Sequence, residues 1–93
     1  MALDKATGIA YYGESGYISS NINKILTQRM PAESLEKWAI ENCAEFNAVN
    51  NALNRGAKIE DLMIYTIKTK SLEPFSRCKN CIITTDGALI LSD

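Results

Sequence analysis

The residues of this sequence with the clearest capacity for chemistry are its three cysteines and one glutamate. Cys43 and Glu45 form a C-x-E pair within NCAEFN, and Cys78 and Cys81 form a C-x-x-C pair within SRCKNC. Three cysteines exclude a complete disulfide framework, and the chain has no histidine, the commonest metal ligand. A zinc site in this chain would therefore use thiolates, with a carboxylate or water completing the coordination.

The C-x-x-C pair alone has three readings: half of a zinc site, a redox pair, or two unrelated buried thiols. Cys43 favours zinc, because we expect it in the first turn of one helix and Cys78 and Cys81 in the first turn of the next. The partial positive charge of a helix N-terminus favours thiolates. Residues three apart share a helix face, so the pair can converge on one ion, leaving one tetrahedral position open.

Glu45 could serve a water molecule bound at the open coordination position of the zinc. A water molecule on zinc becomes a nucleophile near neutral pH and needs a group that takes its proton. At the N-terminus of a helix, the side chains of Cys43 and Glu45 can both reach one point just outside the first turn. Two other readings stay open: Glu45 completes a capping box with Asn42, or it is the fourth ligand of a closed structural zinc.

The elements that position these residues are expected in the order β-β-α-α-β-α-β, an α/β sandwich on a small mixed sheet. The alternation of apolar and turn residues predicts a hairpin made of residues 9–12 and a short strand near Tyr17. A helix is then predicted in 19–30, with Ser19 or Ser20 as its cap.

The second half of the chain should carry the remaining elements. A second helix is predicted from Asn42 to a stop at Gly56. Residues 61–68 form a nearly continuous apolar run, which is typical of a central strand. A short helix in 76–87 and a final strand in 88–92 follow. The buried stripe predicted for the second helix consists of Phe46, Ala48, Val49, Ala52 and Leu53.

Composition narrows the class of protein. The chain of 93 residues suits one domain, 1–93, with 46% hydrophobic residues and a formal net charge of -1. The chain as a whole therefore lacks the positive charge that is typical of nucleic-acid-binding proteins. Residues 68–79, however, carry four Lys or Arg residues and only one acidic residue, Glu73. That run is either a local basic patch or a solvated loop. No apolar run is long enough to span a membrane.

The motifs resemble those of a known superfamily. C-x-E followed by C-x-x-C, with a strand between two helices, looks like the zinc-dependent cytidine deaminase fold, which would make the sandwich cytidine-deaminase-like. The stretches TGIAYYGESG, RMPAESLEKWAIENCAEFNAVNNALNRGAKIEDL and PFSRCKNC resemble the YwqJ-like deaminases of bacterial polymorphic toxins. This resemblance covers roughly residues 7–92.

The resemblance implies roles for the matching residues. Cys43, Cys78 and Cys81 would bind zinc, and Glu45 would move protons. In the superfamily, a zinc-activated water attacks the ring carbon that carries the exocyclic amine, and ammonia leaves. The superfamily often has proline directly before its C-x-x-C, whereas Arg77 stands there in this sequence.

Four residues are weaker candidates for substrate binding. Phe75 could stack on a base, although it could also belong to the core. Arg77 and Lys79 could bind phosphate. Asn47 could read a sugar or base from the same helix start, or it could be an ordinary surface residue. The substrate would be single-stranded nucleic acid or a base flipped out of a duplex.

The sequence therefore predicts a zinc-dependent deaminase that converts cytosine to uracil in DNA or RNA and acts as an antibacterial toxin. By resemblance, it would be the C-terminal module of a larger secreted protein, act as a monomer in the target-cell cytoplasm, and have a cognate immunity protein. Thiolate ligands fit a reducing compartment. The alternatives are a deaminase of free nucleosides or nucleotides, a non-catalytic zinc-stapled binding module, and a thiol–disulfide module.

Overall fold

The chain is a small mixed α/β structure. A computed structural model describes residues 1–14, 21–30, 33–34, 43–66 and 79–91. The described elements run β-β-α-α-β-α-β, with a 3-10 turn at Ile59–Asp61 before the third strand. The letters match the predicted order, but the first strand, Ala2–Asp4, was not predicted. The elements are β1 Ala2–Asp4, β2 Ile9–Tyr11, α1 Lys24–Arg29, α2 Ala44–Asn54, β3 Leu62–Ile64, α3 Lys79–Thr84 and β4 Leu89–Ile90.

The four strands form one mixed sheet in the order β2-β1-β3-β4. Strand β1 is antiparallel to both β2 and β3, whereas β3 and β4 are parallel. The apolar run at 61–68 supplies β3, which lies between β1 and β4 as the prediction of a central strand requires. The parallel pair needs a crossover, and α3 lies on that connection.

The hairpin at the start of the chain differs from the prediction. Residues 9–12 do contain a strand, but β2 pairs with β1, which the sequence analysis missed. Gly8 closes the turn at φ +76°, and its N–H donates to Asp4 O at 2.7 Å. Strand β1 is only Ala-Leu-Asp, and alanine and aspartate are poor strand formers, so its pattern is weak. The strand predicted near Tyr17 lies outside the described residues.

Helix α1 begins later than predicted. Its N-cap is Asn23, whose side-chain oxygen accepts a hydrogen bond from the N–H of Ile25 at 3.0 Å. Asparagine is among the strongest N-cap residues, and four candidates stand close together in this stretch: Ser19, Ser20, Asn21 and Asn23. The caps predicted at Ser19 or Ser20 lie outside the described residues.

Helix α2 also begins one residue later than predicted. The N-cap is Cys43, which has an extended backbone, so Glu45 is the second helical residue and not the third. The capping-box reading requires a carboxylate at the third position, and this register does not provide it. At the other end, Gly56 adopts φ +94° as predicted, and the N–H groups of Gly56 and Ala57 bond to Leu53 O and Ala52 O. This pair of bonds is the Schellman motif.

All three helices contribute to one core on one face of the sheet. The stripe predicted for α2 is buried there, and Leu26 of α1 and Cys81 of α3 join it. Ala2, Leu62 and Ile64 supply the sheet side. Among the described residues, no helix is long and apolar enough to cross a membrane.

Candidate functional site

Two of the residues singled out by their chemistry lie together in the structure. The Oε2 atom of Glu45 is 4.0 Å from the Sγ atom of Cys81. Glu45 is 6% exposed and Cys81 is fully buried, so the contact is shielded from bulk water. The first turn of α2 therefore lies against the first turn of α3, as the motif spacing predicts.

Cys43 lies at the same end of α2. It is the N-cap residue, 6% exposed, and belongs to the same buried cluster as Cys81. Both residues are thiols in this structure. Each thiol thus stands at the N-terminal end of a helix, where the partial positive charge favours a thiolate. Burial opposes ionisation unless a cation is close, so these two positions suit metal ligands better than isolated thiols.

The start of α3 is fixed by residues that the sequence analysis did not select. Asn80, fully buried between Lys79 and Cys81, donates from Nδ2 to Ser34 Oγ at 2.9 Å. The carbonyl of Cys81 accepts from both the N–H and the hydroxyl of Thr85, at 2.9 and 2.5 Å. These bonds hold the backbone that carries Cys81. The position of Asn80 inside C-x-x-C is the only sequence signal for its role.

The remaining predicted site residues are only partly within the described structure. Cys78, Phe75 and Arg77 lie outside it. Lys79 is the first residue of α3, but its side chain is not described. Within the described ranges, no three His, Cys, Asp or Glu side chains converge on a point that could hold a metal. The predicted third ligand, Cys78, is beyond those ranges.

The Asn47 side chain connects α2 to the segment that follows β2. It is 2% exposed, and its Nδ2 donates to the backbone oxygen of Glu14 at 2.9 Å. Its alternative reading as a surface residue is wrong because the side chain is buried. Its role in substrate binding stays a prediction.

Asn47 is one of four asparagines that hold the chain segments beside α2. Asn51 donates to Tyr12 O at 2.8 Å, and Asn50 and Asn54 each donate to Asn21 O at 2.9 Å. These bonds pin the described residues on both sides of 15–20. The stripe has helical spacing, at positions 47, 50, 51 and 54, and this pattern could have been found from the sequence.

Glu45 also influences the charge state of the Met1 amino group, which lies at the end of the two inner strands. Burial lowers the pKa of the Met1 amino group below its usual value, and the negative charge of Glu45 opposes that shift. The amino group donates to Tyr65 O at 2.9 Å, directly after β3. The negative charge of Glu45 therefore acts on an amino group that is hydrogen-bonded to the residue directly after β3.

A cleft of about 610 Å³ lies at the opposite end of α2. It is bounded by β2 and by Asn51, Asn54 and Arg55. Arg55 is ten residues beyond Glu45, roughly 15 Å along the helix. This cleft is therefore separate from the contact between Glu45 and Cys81.

Comparison of the chain with protein-family models, curated proteins and solved structures finds no match. The resemblance to the YwqJ-like deaminases therefore rests on the motifs and stretches of the sequence. The buried arrangement of Glu45, Cys43 and Cys81 stands beside it as an independent geometric observation.

Proposed function

We propose that this protein is a zinc-dependent hydrolytic deaminase of nucleobases, with cytosine in DNA or RNA as its substrate. The observation that carries the proposal is the 4.0 Å contact between Glu45 Oε2 and Cys81 Sγ, which is buried. It joins an acid–base group to a metal ligand at one point, as the C-x-E and C-x-x-C resemblance implies. The cytidine-deaminase-like form of the sandwich is part of the same proposal.

The donor set fits zinc. Cys43 and Cys81 are buried thiols at two helix starts. Zinc prefers thiolate ligands, and a buried thiolate needs a compensating cation. Cys78 would be the third ligand, since it stands three residues before Cys81 and directly before α3.

The distance at Glu45 is compatible with two roles. Oε2 lies 4.0 Å from Cys81 Sγ, close enough for the carboxylate to act beside a metal held by that sulfur. We favour the catalytic carboxylate because the resemblance of C-x-E and C-x-x-C implies it. A closed structural zinc with Glu45 as ligand is the second candidate, because a small shift of the carboxylate would produce it.

When bound, zinc would supply the Lewis acidity that activates a water molecule. The protein supplies proton transfer: Glu45 Oε2 takes one proton from the attacking water and passes it to the ring nitrogen beside the attacked carbon, then carries the remaining hydroxyl proton to the departing amine, which leaves as ammonia. Burial of Glu45 strengthens this exchange, because few solvent molecules screen its charge. Asn80 and Thr85 hold the turn that carries Cys81 and so keep the sulfur at a fixed distance from the carboxylate.

The substrate class follows from the resemblance and from the basic residues before α3. Arg77 and Lys79 would bind phosphate, and Phe75 would stack on a base. Such contacts fit a single-stranded or flipped substrate better than a free nucleoside. The wider proposal is an antibacterial toxin module that is delivered into the cytoplasm of a target cell and blocked by a cognate immunity protein.

One experiment tests the reaction and its rival together. The zinc-loaded protein is incubated with single- and double-stranded DNA, with RNA, and separately with free cytidine. Sequencing reports C-to-U changes in the polymers, and chromatography reports uridine. The proposal predicts changes in polymer; uridine from free cytidine alone would favour the nucleoside deaminase, and stoichiometric zinc without either product would favour the binding module.

A further inference from the structure

The cleft between β2 and the C-terminal half of α2 has the size of an ordinary ligand pocket. Its volume is about 610 Å³, and such pockets span roughly 300–1,000 Å³. Strand β2 and Tyr12 bound one side, and α2 bounds the other side with Asn51, Asn54 and Arg55. The described residues that bound it include aromatic rings, amides and one cation but no carboxylate.

Three polar groups of this cleft are available to a ligand. The Arg55 guanidinium is exposed and makes neither a hydrogen bond nor an ion pair with any described residue. The hydroxyl of Tyr11 is partly buried and likewise has no partner within the described ranges. Asn51 uses its Nδ2 atom for the bond to Tyr12 O, so its Oδ1 atom remains as an acceptor. A cation, a hydroxyl and an amide oxygen therefore border the same space.

Tyr12 adds an aromatic ring at a fixed point of the cleft. Its backbone oxygen accepts the bond from Asn51 Nδ2 at 2.8 Å, which ties this part of the chain to α2. The residue is nevertheless 69% exposed, so its ring is accessible to a ligand. An exposed tyrosine ring is a surface on which a nucleic-acid base can stack.

A second cation stands beside Arg55. Asn23 Nδ2 donates to Asn54 Oδ1 at 3.1 Å, and Lys24 directly follows Asn23 as the first residue of α1. Lys24 is exposed and forms no ion pair in the part of the chain that the structure describes. The Schellman motif at Gly56 satisfies carbonyl oxygens at the end of α2, which reduces the negative charge there. This end of the molecule can therefore attract an anion, and a guanidinium suits the geometry of phosphate.

We propose that this cleft binds single-stranded nucleic acid at a place separate from Glu45. The ligand must offer a flat ring to Tyr12, an anionic group to Arg55 and a hydrogen-bond donor to Asn51 Oδ1. A nucleotide offers all three, in its base, its phosphate and its exocyclic amine. A strand fits better than a free nucleotide, because Tyr12 and Arg55 are both exposed and a small-molecule pocket normally buries most of its ligand.

This inference rests on the proposed function for the choice of nucleic acid, and it adds a second contact for the same strand. The segment after β2 follows α2 from Asn51 back to Asn47, toward the first turn of the helix. Arg55 and Glu45 are roughly 15 Å apart along α2, which corresponds to about four stacked nucleotides at ~3.4 Å each. A strand whose target base lies at Glu45 would therefore place a neighbouring nucleotide in the cleft.

Binding is measured by fluorescence anisotropy on the zinc-loaded Glu45→Gln variant, so that the strand is held without being converted. The probes are labelled single-stranded DNA and RNA of about eight nucleotides with one cytosine, and unlabelled cytidine monophosphate is the competitor. The oligonucleotide should bind at least tenfold more tightly than the mononucleotide, because only the oligonucleotide can reach both places at once.

Two substitutions test the cleft itself. Arg55→Gln should weaken oligonucleotide binding about tenfold and reduce the salt dependence of log K by about 0.7, the value for one phosphate contact on a single strand. Lys58→Gln is its control, because Lys58 is also exposed near the end of α2 but does not bound the cleft. Tyr12→Ser should weaken binding about tenfold through lost stacking. Its control is Leu91→Ser, at a residue 50% exposed after β4, the strand at the other edge of the described sheet.

Equal binding of oligonucleotide and mononucleotide overturns the proposal, as do losses in Arg55→Gln and Tyr12→Ser that are no larger than in their controls. Base conversion by the parent protein separates this inference from the proposed function. Weaker binding by the cleft variants, with no conversion by the parent, would support the cleft and contradict the deaminase. Conversion by the parent, with normal binding by the cleft variants, would support the deaminase and overturn the cleft.

Discussion

Glu45 Oε2 lies 4.0 Å from Cys81 Sγ, although 36 residues separate the two along the chain. The chain leaves α2 at Gly56, passes through β3 in the centre of the sheet and returns in α3, so the first turns of the two helices meet. This connection brings a carboxylate and a thiol into a buried contact. The proposed chemistry depends on this contact.

Removal of either buried thiol should weaken zinc binding. Cys43→Ser and Cys81→Ser keep the side-chain size but replace a soft thiolate by a hydroxyl that stays protonated. We expect zinc affinity to fall by at least tenfold in each variant. Competition with a colorimetric chelator measures the affinity.

Ala52→Ser is the control for these variants. It also introduces a hydroxyl into a fully buried position of the core, but on the far half of α2. It should lose about 2 kcal/mol of unfolding free energy and still bind zinc as the parent does. Equal zinc binding by the serine variants and the parent would rule out thiolate ligation at those positions.

Chelation of zinc should destabilise the whole domain. The ligands come from two helices that enclose one core, so the metal would tie α2 to α3. A ligand present at a thousand times its dissociation constant stabilises the folded state by about 4 kcal/mol. Thermal unfolding with excess zinc and with EDTA measures this difference. Identical melting temperatures under both conditions would argue against a metal between the helices.

Gly13→Ala should be strongly destabilising. A Cβ atom at this position would stand 2.6 Å from Ala44 O and 2.8 Å from Asn47 C, within the backbone of α2. Because backbone cannot move aside cheaply, we expect a loss of about 3 kcal/mol in unfolding free energy. Gly8→Ala is the comparison: it has open space and only a positive φ, which costs about 1 kcal/mol. Urea denaturation measures both, and an equal loss in the two variants would contradict the close packing.

Asn50→Ala should cost far more than Asn51→Ala. The fully buried Asn50 accepts from Asn23 N at 2.7 Å and donates to Asn21 O at 2.9 Å. Its loss removes the partner of the Asn23 N–H, whereas Asn21 O keeps its bond from Asn54. We expect about 2 kcal/mol in the free energy of unfolding. Asn51 is exposed and makes one such bond, so its loss should cost less than about 1 kcal/mol. Similar losses in urea titrations of both variants would contradict the assigned anchoring role.

Strong periodic patterns made most of the fold predictable. The apolar stripe of α2, the stop at Gly56 and the central position of β3 all follow from residue types at fixed spacing. Strand β1 could not be found this way, because three residues carry no usable period and their pairing with β3 is set by tertiary contacts. The start of α1 was misplaced because several good caps stand side by side. The start of α2 was misplaced by one residue because its N-cap, Cys43, makes no side-chain capping hydrogen bond and is not a residue type that marks a helix start.

The reactive residues of the candidate site could be predicted from the sequence, but the hydrogen bonds that hold them in place could not. Cysteine and glutamate spacing pointed to the start of two helices, and the contact between Glu45 and Cys81 agrees with that geometry. The bond from Asn80 to Ser34 spans 46 residues, so no local pattern contains it. The burial of Asn47 was missed because asparagine is usually exposed, although its helical spacing with Asn50, Asn51 and Asn54 is visible in the sequence.

The most direct test of the proposed function is the Glu45→Gln variant. Glutamine keeps the size of the side chain but cannot carry the proton between water and amine. Base conversion is measured by sequencing single-stranded substrate, with zinc content measured on the same samples. Glu14→Gln, the same change at an exposed residue after β2, is the control. We predict that Glu45→Gln keeps one zinc and loses at least a hundredfold in rate while Glu14→Gln edits normally; a Glu45→Gln protein that edits like the parent would contradict the account.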